Sequence, residues 1–429
     1  MVTNKTKSTL IFGLALFAMF FGAGNLLLPP FLGYQTGDNW WSSLAGFSFT
    51  GIVAPIIATL SILKSGDYFT DLGKKSNQTL VYILATINLL CIGPLIAIPR
   101  TGASVYEVSI LPLIPDAQPV WVCIIFFAAV LILSISRKNI ITVLGKFMTP
   151  ILIGLLLLLI IPGIFLGNLS AENYKMATDE SFLLGFQQGY QTMDFLGSLI
   201  FSVVIISAAK RYGYTHTEDK RKVVINAALI SGLCLLIMYA GLFYLGHRFE
   251  PTGDHVSRAS FLIQISSRLF NNNGVYLISV IMILACLTTA IALTAGFARF
   301  FDRITKGRLG YQEGVILCTL VSIILAINGV DAILDYAMGL LNFIYPIILV
   351  LVLFTFLFGN MVTSKGPILT AIIVTTVISF IRIFYEWNPE PNIKSILYSL
   401  PLVSYQLEWV IPAFISFGLA FMMTKISKK

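Results

Sequence analysis

Apolar residues run along this chain in long unbroken blocks, separated by short polar stretches. Twelve such segments follow one another, at about 8–33, 39–63, 78–99, 119–136, 141–167, 182–209, 223–247, 274–301, 311–328, 334–358, 367–385 and 407–426. Most approach the roughly 20 residues that a helix needs to cross a ~30 Å hydrocarbon core. The pattern predicts an all-α polytopic membrane protein with 12 transmembrane helices and a single transmembrane domain over 1–429. The first segment follows Lys5 and Lys7, an outline shared with signal peptides. Its apolar run from Ser8 to about Gly33 is too long for a signal core and lacks a small-residue cleavage site, so it reads as the first spanning helix.

Loop charges test the count. With the N-terminus placed inside and the loops alternating, 21 of the 28 Lys and Arg residues fall inside, among them Lys74, Lys75, Arg137, Lys138, Arg221, Lys222, Lys428 and Lys429. The outside and its helix ends receive Arg100, Lys175, Arg248, Arg258, Arg268, Arg382 and Lys394. That bias has the direction of the positive-inside rule, and an even number of spans puts both termini in the cytoplasm. Two outer stretches are longer than simple connectors. One, from Arg248 to Asn273, holds a candidate short surface helix at Ala259–Phe270; the other, Glu386–Gln406, is rich in Pro and Asn. Each reads as a lid or as a plain surface loop.

Composition agrees with the pattern. Hydrophobic residues make up 57% of the chain, charged residues only 11%, and the mean hydropathy is +0.87, against about 25% charged in soluble domains. The net charge of +8 would suit nucleic acid, but no basic run is interleaved with aromatics, and excess Lys and Arg is what inner loops carry. Cys91, Cys123, Cys234, Cys286 and Cys318 lie in apolar stretches and read as small buried hydrophobes. His216, His247 and His255 are scattered, so no transition-metal site and no cofactor are expected. The partners implied are the lipid bilayer and a small molecule, with no nucleic acid.

Chemistry is expected where a span is interrupted. The first segment carries Phe20-Phe21-Gly22-Ala23-Gly24-Asn25-Leu26 and then Pro29-Pro30, two residues without backbone donors. It is either a kinked, glycine-packed helix or a broken one whose freed backbone lines a cavity. The sixth carries Gly189-Tyr190-Gln191-Thr192-Met193-Asp194-Phe195-Leu196-Gly197. The apolar run after Asp194 is too short to span alone, which places this carboxylate in the membrane, where an ionisable group is functional by default. The alternative is a solvated Asp194. The breaks lie five helices apart, an odd number, so they sit in halves of opposite orientation, the arrangement of transporter sites built on inverted repeats. In the eighth segment Ala285-Cys286-Leu287-Thr288-Thr289 puts two hydroxyls mid-span. They are either bonded back to their own helix or part of a hard-oxygen cation site.

The run Phe12 to Leu26, with Pro29-Pro30, Gly37-Asp38-Asn39-Trp40 and the Gly-Tyr-Gln-Thr-Met-Asp of 189–194, closely resembles bacterial branched-chain amino acid carrier proteins of the BrnQ type, over essentially the whole length. That resemblance implies a LeuT-like fold: a first five-helix repeat at 8–167, a second, inverted one at 182–358, and two additional helices at 367–426. It also implies a Na⁺ site from the carbonyls of Ala18, Phe21 and Ala285 and the hydroxyls of Thr288 and Thr289. The substrate carboxylate would meet the backbone of Gly22, Ala23, Gly24 and Asn25, and its ammonium the carbonyls of Gln191, Thr192, Met193 and Asp194, with Phe195 in the apolar lining beside Phe20, Phe21 and Ile92. The chain departs from the wider class in its third helix, where Cys91-Ile92-Gly93-Pro94 offers no tyrosine for the carboxylate.

The implied function is import of Leu, Ile and Val by symport with a cation, Na⁺ or alternatively H⁺ carried by Asp194, through alternating access in a bacterial cell membrane. An intramembrane enzyme would need a metal or nucleophile constellation within the spans. A channel would need a repeated filter loop or an Arg-rich sensor. The sequence has neither.

Overall fold

The structure is a computed structural model that describes residues 5–136, 140–166, 176–253, 256–362 and 364–426. Arg137, Lys138, Lys175, His255, Lys428 and Lys429, which entered the charge and histidine readings, lie outside the described residues.

The described residues are mostly helical. In order come α1 (Lys5–Phe20), α2 (Ala23–Thr36), α3 (Trp40–Ser48), α4 (Ala54–Ser65), α5 (Gln78–Leu90), α6 (Ala97–Ser104), α7 (Pro119–Ser134), α8 (Ile140–Thr142), α9 (Thr149–Leu166), α10 (Thr178–Tyr190), α11 (Asp194–Arg211), α12 (Thr217–His247), α13 (Arg258–Phe270), α14 (Asn273–Ile304), α15 (Tyr311–Ala326), α16 (Gly329–Phe358), α17 (Gly366–Trp387), α18 (Pro391–Tyr398) and α19 (Val410–Ile426). No strand occurs among the described residues. Helices satisfy their own backbone groups, which hydrocarbon cannot do for them, so blocks of this apolarity have little alternative.

By length and composition, seven helices among the described residues are able to cross a membrane, or nine if each sharply bent pair is one span. The sequence leads to twelve. The difference arises because α7 and α19 have 16 and 17 residues, short of a full crossing at 1.5 Å per residue, and because the first apolar segment is divided into α1 and α2. The helix anticipated at Ala259–Phe270 is α13, with Phe261, Leu262 and Ile265 buried on one face.

The chain forms two compact units. The first comprises Met1–Ile56 and Ile92–Ile333. Within it α1 and α2 pack along α12, α3 packs on α10, and α14 packs on α15. Two glycine contacts let backbones touch. A Cβ on Gly246 would strike the Pro30 carbonyl, and one on Gly33 the Phe243 carbonyl, so α2 and α12 interlock through residues without side chains. Gly46 and Gly185 do the same for α3 and α10, against Phe182 and Ser43. The second unit comprises Ile57–Cys91 and Leu334–Lys429. There α17 packs on α19, Phe354 sits against Phe414 and Phe417 with ring centroids 4.9 Å from each, and Arg382 pairs with Glu408 at 3.1 Å.

Four interruptions shape the helices. The first lies at Phe21–Gly22, between α1 and α2. Pro29 and Pro30 do not make it: both sit inside α2, where the helix continues past their missing donors. The second, Gln191–Met193, bends α10 against α11 by 47°. The third is a π-helical turn at Cys91–Leu95, with Gly93 at φ −88° and ψ −122°, inside the apolar segment 78–99. The fourth separates α15 from the start of α16 by 108°, at Gly329, whose φ of 87° favours glycine. There Glu107 accepts the Val330 N–H at 2.8 Å.

Candidate functional site

At the first break the Phe21 N–H still reaches the Phe17 carbonyl, 2.8 Å away, and Gly22 then turns extended at φ −106° and ψ −165°. A Cβ on Gly22 would stand 3.2 Å from the Thr289 hydroxyl. Helix α2 therefore starts in the protein interior, and its first N–H groups have no helical acceptor. The Gly22 N–H donates to Asn25 Oδ1 at 3.3 Å, and the Ala23 N–H meets the Cys286 sulfur. Gly24 and Asn25 present theirs at the helix mouth, where the macrodipole is positive.

At the second break Met193 adopts a left-handed conformation, φ 62°. Its N–H bonds the Tyr190 carbonyl at 3.1 Å, and the Thr192 hydroxyl donates to the Gly189 carbonyl at 2.8 Å. Asp194 is the first residue of α11. The Asn25 amide donates to Asp194 Oδ2 at 2.5 Å and also to the Tyr239 hydroxyl, which in turn bonds Asp194. All three side chains are buried. The two helix starts are thus tied together by a satisfied polar network, as buried polar groups require.

Helix α14 meets the end of α1 through its paired hydroxyls. Thr288 Oγ1 donates toward the carbonyls of Ala18 and Ala285, at 2.8 and 3.0 Å. Thr289 Oγ1 reaches the Met19 carbonyl at 3.1 Å. Of the residues considered for Na⁺, Ala18, Ala285 and Thr288 come together directly and Thr289 lies beside them. No hydrogen bond joins Phe21 to the group; its ring packs against Phe17 and Tyr239.

These elements line a small cavity of ≈ 50 Å³ that opens toward solvent. The walls follow helical phase. From α11 come Asp194, Gly197 and Phe201 and from α14 Thr289 and Leu293, spaced three or four apart; from α6 come Ala97 and, three and four residues on, the adjacent Arg100 and Thr101. Met19 and Phe20 close it from α1, Gly22 to Asn25 and Thr192 to Met193 from the breaks, and Ile92 from the kinked segment. Phe195 is not among the walls, because it lies one residue, about 100°, around the helix from Asp194. Phe21 and the Gln191 side chain are also absent from them.

Arg100 corrects the sequence reading most. Counted there as an outer helix end, it lies within the continuous helical stretch Gln78–Ile110 and faces the cavity. Its Nη1 donates to the Gln191 carbonyl at 3.2 Å. Arg258, from α13, also holds this break, donating to Gln191 Oε1 at 3.2 Å and Gln188 Oε1 at 3.1 Å. The signal for Arg100 was Gly93-Pro94 in mid-segment, a kink marker six residues ahead of an arginine too near the apolar run to be a loop residue.

The model of the family described as branched-chain amino acid transport protein matches residues 5–427. The chain belongs to that family. A Staphylococcus saprophyticus protein named as a branched-chain amino acid carrier is 33% identical over 443 residues, covering 99% of this chain and 98% of the relative. The fold is shared with solved transporters of the LeuT-like class. Mhp1, a nucleobase-cation-symport-1 family transporter in a closed conformation with bromovinylhydantoin bound, superposes with a TM-score of 0.62 at 14% identity, over 98% of this chain and 92% of its own. MhsT in complex with L-phenylalanine gives 0.57 at 15%, over 96% and 98%. The chain is thus a multi-pass membrane transport protein of an amino acid family, and the enzyme reading falls away.

Proposed function

We propose that this protein imports Leu, Ile and Val across a bacterial cell membrane by symport with Na⁺, with both termini cytoplasmic. In this reading 8–167 and 182–358 are inverted repeats, 367–426 adds two helices, and twelve segments cross. One observation carries the proposal: two helices begin inside the protein, at Ala23 and Asp194, on one cavity whose remaining walls are mostly apolar. An α-amino acid has the matching shape. Its carboxylate suits the positive mouth of α2, its ammonium suits the carbonyls around Thr192 and Met193 and the Asp194 carboxylate, and its branched side chain suits Met19, Phe20, Ile92, Phe201 and Leu293.

Burial of such a side chain contributes about 1.5–3 kcal/mol, enough to disfavour polar amino acids. One methylene is worth only ~1–3 kcal/mol, so Leu, Ile and Val are accepted alike. Na⁺ is the coupling ion because Thr288, Thr289 and the carbonyls of Ala18 and Ala285 supply hard oxygens where α1 ends. The ion orders the broken helix, and substrate then meets a formed α2 mouth; one group of helices rocks against the rest about the midplane.

A second reading keeps the substrate and makes H⁺ the ion. It is favoured by Asp194, buried with Asn25 and Tyr239 and without a cation in pairing distance. Leucine uptake into proteoliposomes separates the two. Accumulation under an imposed Na⁺ gradient alone supports Na⁺ symport; accumulation under a proton gradient alone transfers the role to Asp194; accumulation under neither overturns symport.

A further inference from the structure

We infer that Arg100 holds the substrate's carboxylate, so that the cavity selects zwitterions over amines or alcohols with the same side chain. The inference rests on the amino acid reading of the cavity and assigns its anion-binding group. The sequence left that task to the backbone of Gly22–Asn25 and offered no tyrosine in the third apolar segment for it.

Three observations support the assignment. Arg100 lines the cavity, and its Nη2 lies 3.6 Å from where a Cβ on Gly24 would stand. The guanidinium thus lies against the first turn of α2. Two sources of positive potential, a charge and a helix start, therefore converge on one end of the cavity. Second, no carboxylate lies at ion-pair distance from the charge, although Asp194 on the same cavity attracts it. Nη1 is used by the Gln191 carbonyl, Nε is buried without a hydrogen-bond partner, and no ion pair involves Arg100 among the described residues. A buried guanidinium without an anion is costly, and such groups are retained where a ligand supplies the anion. Third, its shape suits the task. A planar fork of N–H donors matches a carboxylate in a bidentate geometry that a lysine cannot reproduce.

Position along the cavity then sets specificity. Asp194, held by Asn25 and Tyr239, heads the same break whose Gln191 carbonyl Arg100 reaches. A zwitterion sets its carboxylate on Arg100 and its ammonium beside Asp194, and leaves its side chain among Phe20, Ile92 and Phe201. A monoamine or an amino alcohol brings Arg100 no anion.

The test compares binding of leucine and leucinol, which differ only in the carboxylate, to purified full-length protein in saturating Na⁺. Wild type, R100Q and R100K are measured, with gel filtration as the folding control. Wild type is expected to prefer leucine strongly. R100Q is expected to lose leucine affinity by about 10- to 100-fold, the range for a charge-assisted bond, while leucinol changes little. R100K is expected to fall between, and it carries the comparison if R100Q does not fold. Equal weakening of both ligands would make Arg100 a brace for the Gln191 break and overturn the assignment, as would unchanged leucine binding. Wild-type protein that binds no aliphatic amino acid would instead overturn the amino acid reading, which the wild-type measurement alone reveals.

Discussion

The Asn25 side-chain amide donates to the Asp194 carboxylate at 2.5 Å across 169 residues of chain, joining the first turn of α2 to the first residue of α11. Both helices start mid-protein, and this bond makes the two starts one unit. Its other members, Tyr239 on α12 and the Gly22 N–H, use the remaining capacity of the Asn25 amide.

Replacing Asn25 by Ala leaves a buried carboxylate, a hydroxyl and a backbone N–H short of a partner. Each orphaned buried group costs about 1–3 kcal/mol. N25A is expected to lower the melting temperature in detergent and abolish leucine uptake. Y239F, which removes one neutral hydroxyl, is expected to cost about 1 kcal/mol and retain part of the uptake. A melt in which Y239F is the more damaging change would contradict the network as described.

Thr288 bonds the Ala18 and Ala285 carbonyls, while Thr289 reaches Met19. If this cluster is the Na⁺ site, T288A raises the Na⁺ concentration for half-maximal uptake by roughly tenfold or more, the effect of losing one strong oxygen partner. T288S keeps the hydroxyl and should stay near wild type. Uptake measured against external Na⁺ decides it, and an unchanged Na⁺ dependence in T288A would place the ion elsewhere.

The glycine contacts predict a sharp contrast. In Gly246→Val a side chain is driven onto the Pro30 carbonyl, and overpacking of this kind typically costs 1–3 kcal/mol or about that. A Cβ on Gly154 or Gly418 meets nothing within 4 Å, so G154A and G418A are expected to be neutral or stabilising by about 0.5–1 kcal/mol, the helix preference of Ala over Gly. Fluorescence-detected gel filtration after heating ranks the variants.

Outside the spans, Asp71 titrates against its own loop. Burial alone would raise its pKa, but Lys74 at 2.9 Å and the N–H groups of Asp67 and Tyr68 more than reverse this and hold it below the ordinary 3.8. A lowered carboxylate stabilises the fold above its unfolded pKa, and that contribution is lost as pH falls through the folded value. Protection factors of the amides in 66–77, corrected for the slower intrinsic exchange in acid, are therefore expected to fall below about pH 4 in wild type. D71N is expected to show low protection factors at neutral pH already, with little further change on acidification.

The sequence alone determined much of this protein. Blocks of apolar residues leave the backbone no partner but itself, so the helices and their approximate positions follow from composition read in order. Glycine next to polar residues in such a block marks a break, which is why Gly22 to Asn25 and Gln191 to Asp194 were legible. The family motif added Ala285 to Thr289. Tertiary structure decided which side chains face the cavity. Phe201 replaces Phe195 as a wall because helical phase relative to neighbours depends on packing, which periodicity cannot reveal in a helix apolar on all sides. It also decided Arg100, whose place depends on the kink at Cys91–Leu95. A charge near the end of an apolar block looks the same in sequence whether it meets water or turns inward, and only the neighbours packed around it distinguish the two.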